Sequence, residues 1–98
     1  MDATVKAAWV AALRSGKYKQ GEAAMYNRTT DAYCCLGVLC AVQDPFSVSF
    51  MGLPGSNIAP TPELRAGLDD ADINILMAAN DTHRWTFEEI ATYIEDML

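Results

Sequence analysis

A chain of 98 residues, 51% of them hydrophobic, can build one core but not two, so a single domain over residues 1–98 is expected. No apolar stretch reaches the roughly 20 residues of a membrane-spanning helix, and the N-terminus lacks the basic, apolar and small-residue series of a secretory leader. That pattern predicts a cytoplasmic protein with no membrane partner. A net charge of −6 opposes direct nucleic-acid binding, because phosphates would be repelled.

In chain order, the first element is an amphipathic helix. Val5, Ala8, Trp9, Ala12 and Leu13 recur at helical spacing, with Asp2 as the cap and Arg14 and Gly16 as the stop. Then comes Gly16-Lys17-Tyr18-Lys19-Gln20-Gly21, a basic and aromatic segment between two glycines. Glu22 to Tyr26 reads as a short helical turn and Asn27 to Asp31 as a polar loop. Tyr33 to Val42 is apolar on every side. A helix is favoured there, with a buried strand as the competing reading, and Asp44-Pro45 ends it.

Phe46 to Phe50 alternates apolar and polar residues, which predicts a strand. Gly52 to Asn57 would turn it, and Ile58-Ala59 would return as the second strand of a short β-hairpin near 46–59. Thr61-Pro62-Glu63 reads as a helix start. The helix after Asp69, Asp70 and Asp72 should carry Ile73, Leu76 and Met77 inward. Thr86 and Glu89 form a capping box for the last helix, flanked by Trp85 and Ile90 in staple positions. Its buried stripe is expected to be Phe87, Ile90, Ala91, Ile94, Met97 and Leu98. The expected fold is α+β and predominantly α: a small domain of four to five helices with one short hairpin. A chain this small buries little surface alone, which makes a homo-oligomer a further expectation.

Charge is unevenly distributed. Residues 1–28 sum to +3 and residues 29–98 to −9. Arg14, Lys17, Tyr18, Lys19, Gln20, Arg28 and Tyr33 are the candidate ligand-binding set. Glycines free the backbone amides near them, cations attract phosphate, and tyrosines stack on a nucleobase. A solvated helix end and ordinary surface tyrosines explain the same residues more simply. The segment lacks the spacing of a phosphate-binding P-loop.

Cys34, Cys35 and Cys40 with His83 could bind zinc or form a nucleophile–base pair. Their spacing matches no structural-zinc pattern, and buried packing is the expected role of the thiols. Asp69, Asp70 and Asp72 lack the glycine and closing glutamate of a calcium loop. No cofactor or metal is implied.

Trp9-Val10-Ala11-Ala12-Leu13-Arg14-Ser15-Gly16-Lys17-Tyr18-Lys19-Gln20-Gly21, followed by Tyr33-Cys34-Cys35-Leu36-Gly37-Val38-Leu39-Cys40, resembles a family of small phage and prophage proteins. Its members share a "WVxALRSGxYxQ" helix and loop and a "YCCLGVLC" segment. The closing Phe87-Glu88-Glu89-Ile90-Ala91-Thr92-Tyr93-Ile94-Glu95 resembles the family's last helix. The likeness spans the chain apart from residues 42–60. The spacer with Met25, Arg28 and Asp31 departs from the leucine and basic residues of other members. The resemblance implies a phage context and no particular activity. In a host cytoplasm, two binding roles compete. The basic loop would sequester a nucleotide-type signalling molecule, or the acidic surface would inhibit a host defence protein. A cysteine-dependent enzyme is the third reading.

Overall fold

The computed structural model describes residues 1–51 and 59–98, with the side chain of Phe50 excepted. Helix α1, Ala3–Arg14, starts where the Asp2 carboxylate accepts the Val5 amide at 2.8 Å. It stops at Ser15, followed by Gly16 at φ +75°, a left-handed position that glycine takes without strain. Trp9, Val10 and Leu13 are buried, while Ala8 is exposed, so the inward face is rotated toward Val10 relative to the expected stripe.

Three strands of two residues each follow: β1 (Lys19–Gln20), β2 (Tyr26–Asn27) and β3 (Ala32–Tyr33). β3 lies in the middle, parallel to β1 and antiparallel to β2. This sheet replaces the helical turn expected over Glu22 to Tyr26. Ala23 sits at φ +67°, outside the right-handed helical region, and Met25 gives its carbonyl to the Cys34 amide at 3.1 Å.

Helix α2, Cys35–Gln43, settles the ambiguous apolar segment. Cys35 through Ala41 are all buried, so it forms the centre of the core. Gly37 is required there, since a Cβ at this position would come within 1.9 Å of the Met25 carbonyl oxygen. The Trp9 indole N–H donates to the Cys35 carbonyl at 2.9 Å and joins α1 to the start of α2.

The strand expected over Phe46 to Phe50 is a 3₁₀ helix, Pro45–Phe50. Its start is favoured by local chemistry: the Asp44 carboxylate accepts the Phe46 amide at 3.1 Å, and Pro45 needs no donor at the first position. Capping therefore outweighs alternation. The proposed turn at 52–57 and Ile58 lie outside the described residues, and Ala59 is in a bend. Thr61 opens only a single 3₁₀ turn, Pro62–Leu64.

Helices α3 (Asp70–Asp81) and α4 (Phe87–Met97) each begin with a capping box, Asp69 with Asp72 and Thr86 with Glu89. Phe87, Ile90, Ala91 and Ile94 are buried as expected, whereas Met97 is 67% exposed. α4 packs on α1, and α2 lies against α1 and α3. The fold is thus predominantly α with a short β element, the β placed at 19–33. Among the described residues, no helix is long and apolar enough to cross a membrane.

Candidate functional site

The turn after Gly16 leads directly into β1 and carries Lys17 and Lys19 to the surface, with Tyr18 half-buried between them. The Lys17 Nζ lies 5.8 Å from the centre of the Tyr18 ring. β3 then brings Tyr33 between two other tyrosines. Tyr18 meets it edge-on at 5.0 Å, and Tyr26 at 4.8 Å with a tilt of 46°. The Tyr26 hydroxyl donates to Asp31 at 2.7 Å, a bond that raises its pKa above the usual phenol range. Burial raises that of Tyr33. Both rings remain neutral phenols at physiological pH, suited to stacking and to donating hydrogen bonds.

Three of the expected ligand residues are engaged inside the protein. Arg14 spans α1 and α4, pairing with Glu88 at 3.0 Å and Glu95 at 2.7 Å and donating to the Thr92 hydroxyl. Arg28 donates to the backbone carbonyls of Ser49 at 2.6 Å and Met51 at 3.4 Å. The Gln20 amide nitrogen donates to the Trp85 carbonyl at 2.7 Å and to the Asn80 side chain at 3.0 Å. Its oxygen accepts the Phe87 amide at 3.1 Å, at the first turn of α4.

Beside Lys19 the sheet and the start of α4 border an open cleft of about 440 Å³. Gly21 and Asn80 lie along it with Thr30, Arg84 and Thr86. Arg84 reaches this place because the last turn of α3 widens. The amides of Thr82 and His83 both donate to the Ala78 carbonyl at 2.9 Å, and Arg84 then turns through φ +54°. Its guanidinium is 3.6 Å from Glu22, an exposed pair of little energetic weight. Arg84 and Thr86 were not among the sequence candidates. The only local signal was a cation just before a capping box, and its place on the same cleft as Lys19 is a product of tertiary structure.

The cysteines point into the core. Burial pushes the Cys34 thiol up to about 11, that of Cys40 up to about 12, and that of Cys35 well above its ordinary value. Protonated, enclosed thiols are poor nucleophiles. His83 is exposed, and among the described residues no group of three or more His, Cys, Asp and Glu could hold a metal. The acids of the 69–72 segment have structural work: Asp69 and Asp72 close the α3 cap, and Asp70 pairs with Arg65.

A family model described as a domain of unknown function (DUF8296) matches residues 1–44, which hold α1, the sheet and α2. Neither the curated proteins nor the solved structures compared with the chain gave a match.

Proposed function

We propose that this chain is a non-enzymatic binding protein that sequesters an anionic, nucleotide-type small molecule, in a phage counter-defence role. One observation supports this reading most directly. Of the seven Lys and Arg residues, five hold a carboxylate or carbonyl within the chain: Lys6, Arg14, Arg28, Arg65 and Arg84. Lys17 and Lys19 hold neither among the described residues, and they flank Tyr18. Two exposed ammonium groups beside a cluster of three tyrosines combine charge for phosphate with aromatic surface for a base.

In this reading Lys17 and Lys19 bind phosphate, and Tyr18 with Tyr33 offers the stacking surface. The cleft beside Lys19 accepts the rest of the ligand, with Arg84 exchanging its exposed carboxylate for phosphate. Arg14, Gln20 and Arg28 hold the framework. Neutral, buried thiols favour binding over covalent catalysis. The test is a thermal-shift screen against cyclic and linear nucleotides. A ligand at a hundred times its Kd stabilises a domain by about 2.7 kcal/mol, or roughly 10 °C or more for a chain of this size. The Lys17→Ala/Lys19→Ala variant should lose that shift.

A further inference from the structure

A second surface, distinct from the Tyr18 region, runs along the outer side of α4. Trp85 and Tyr93 meet there edge-on, ring centres 5.9 Å apart and planes 63° apart. Around them is an open groove of about 420 Å³ that also takes in Glu88, Glu89, Asp96 and Met97. The spacing explains the stripe: residues 88 and 89, 92 and 93, and 96 and 97 recur every three to four positions on one face of the helix, and Trp85, just ahead of the cap, packs onto Tyr93.

The inward stripe of α4 is already buried against α1, so this face is an additional one. It is unusual in combining aromatic and apolar exposure with negative charge. Met97 is 67% exposed at its far end. Asp96 makes no hydrogen bond or ion pair among the described residues. Glu88 and Glu89 each contribute one oxygen to bonds within the chain, Glu88 to Arg14 and Glu89 to the α4 cap. Their other oxygens are available to a cation.

We propose that this groove docks a basic peptide segment of a partner protein, with an Arg or Lys side chain over the Trp85 and Tyr93 rings and its charge toward Asp96. Two aromatic faces set at a steep angle, with carboxylates around them, match the requirements of a guanidinium or ammonium group. The length of the stripe decides the source. From Glu88 to Met97 it extends over nine helical steps, roughly 14 Å at 1.5 Å each, with Trp85 ahead of the helix, more than one small amine covers. A peptide segment fills that length with its apolar residues on Met97 and Tyr93, and its cations on the acids.

The test uses the full chain and a synthetic peptide alternating arginine and leucine, followed through tryptophan fluorescence. Trp9 is fully buried, so a change on titration reports Trp85. Binding should weaken about fivefold or more in Tyr93→Leu and in Asp96→Asn, with the far-ultraviolet circular dichroism unchanged. Glu63→Gln removes the same charge from a different exposed turn and should leave binding as it was. Equal weakening in Glu63→Gln and Asp96→Asn would overturn the proposal, since binding would then follow net charge alone. Binding of spermidine as tight as that of the peptide would overturn it too, because the groove would then be a small-amine site.

Discussion

Gln20 and Asn80, sixty positions apart, share a hydrogen bond of 3.0 Å that ties the end of β1 to α3. Asn80 is 1% exposed, the one buried polar side chain among the described residues. Its oxygen also accepts the Cys35 amide at 3.3 Å, while its nitrogen donates to the Gly21 carbonyl at 2.8 Å and to Asp81. Gln20 carries the link onward to Trp85 and Phe87. The floor of the cleft and the start of α4 are thus set by one amide pair.

Replacing Asn80 with leucine should therefore destabilise the protein by about 3 kcal/mol or more. The change leaves the Cys35 N–H and the Gly21 carbonyl without a partner in the interior and removes one of the two bonds of the Gln20 amide nitrogen. Urea denaturation checks this directly. An Asn80→Leu midpoint equal to that of the wild type would show that the pair carries no structural weight.

Gly37→Ala should be comparably severe for a different reason. The added methyl would lie 1.9 Å from the Met25 carbonyl oxygen, a backbone atom already bonded to the Cys34 amide. Helix α2 or the sheet must move apart, at a cost of about 3 kcal/mol, the upper part of the range for overpacked cores. Gly16→Ala meets no atom within 4 Å and is strained only through its φ of +75°, so it should cost less. The order of the two midpoints is the measurement.

The thiols give an alkaline limit to stability. Their pKa values are raised in the folded state, so below about pH 9 both states are protonated and the contribution is intact. As pH climbs from about 9 toward 11 and 12, the unfolded chain ionises first and folding is progressively disfavoured. A stability profile should be nearly level from pH 8 to about 9 and fall from there to 11, and Cys40→Ala should flatten part of the slope. In the folded protein near pH 8, thiol-directed alkylation should be slow until denaturant is added.

Local chemistry was readable in the sequence where the bonds that decide it are local. Asp2, the Thr86 and Glu89 pair, and the stop at Asp44-Pro45 all act within a few residues, and each functions as its position implies. The sheet was not readable. Its strands are two residues long, too short for alternation to register, and they form because Gly21 finds the Tyr33 carbonyl and Cys34 finds that of Met25. Phe46 to Phe50 shows the converse, an alternating pattern overruled by the Asp44 cap. For the candidate site, the sequence grouped Arg14, Lys17, Tyr18, Lys19, Gln20, Arg28 and Tyr33, of which Tyr18 and Tyr33 meet ring to ring. It could not reveal that Arg14 is bound to residues 74 and 81 positions away, or that Arg84 lines the same cleft as Lys19.

The most direct test of the proposed function is the nucleotide thermal-shift screen run in parallel on the wild type and on Lys17→Ala/Lys19→Ala. The account predicts a rise of roughly 10 °C or more with a phosphorylated nucleotide at a hundred times its Kd in the wild type, lost in the variant while its ligand-free melting temperature stays within about 2 °C. A shift that survives in the double variant, or no shift with any cyclic or linear nucleotide, would contradict it.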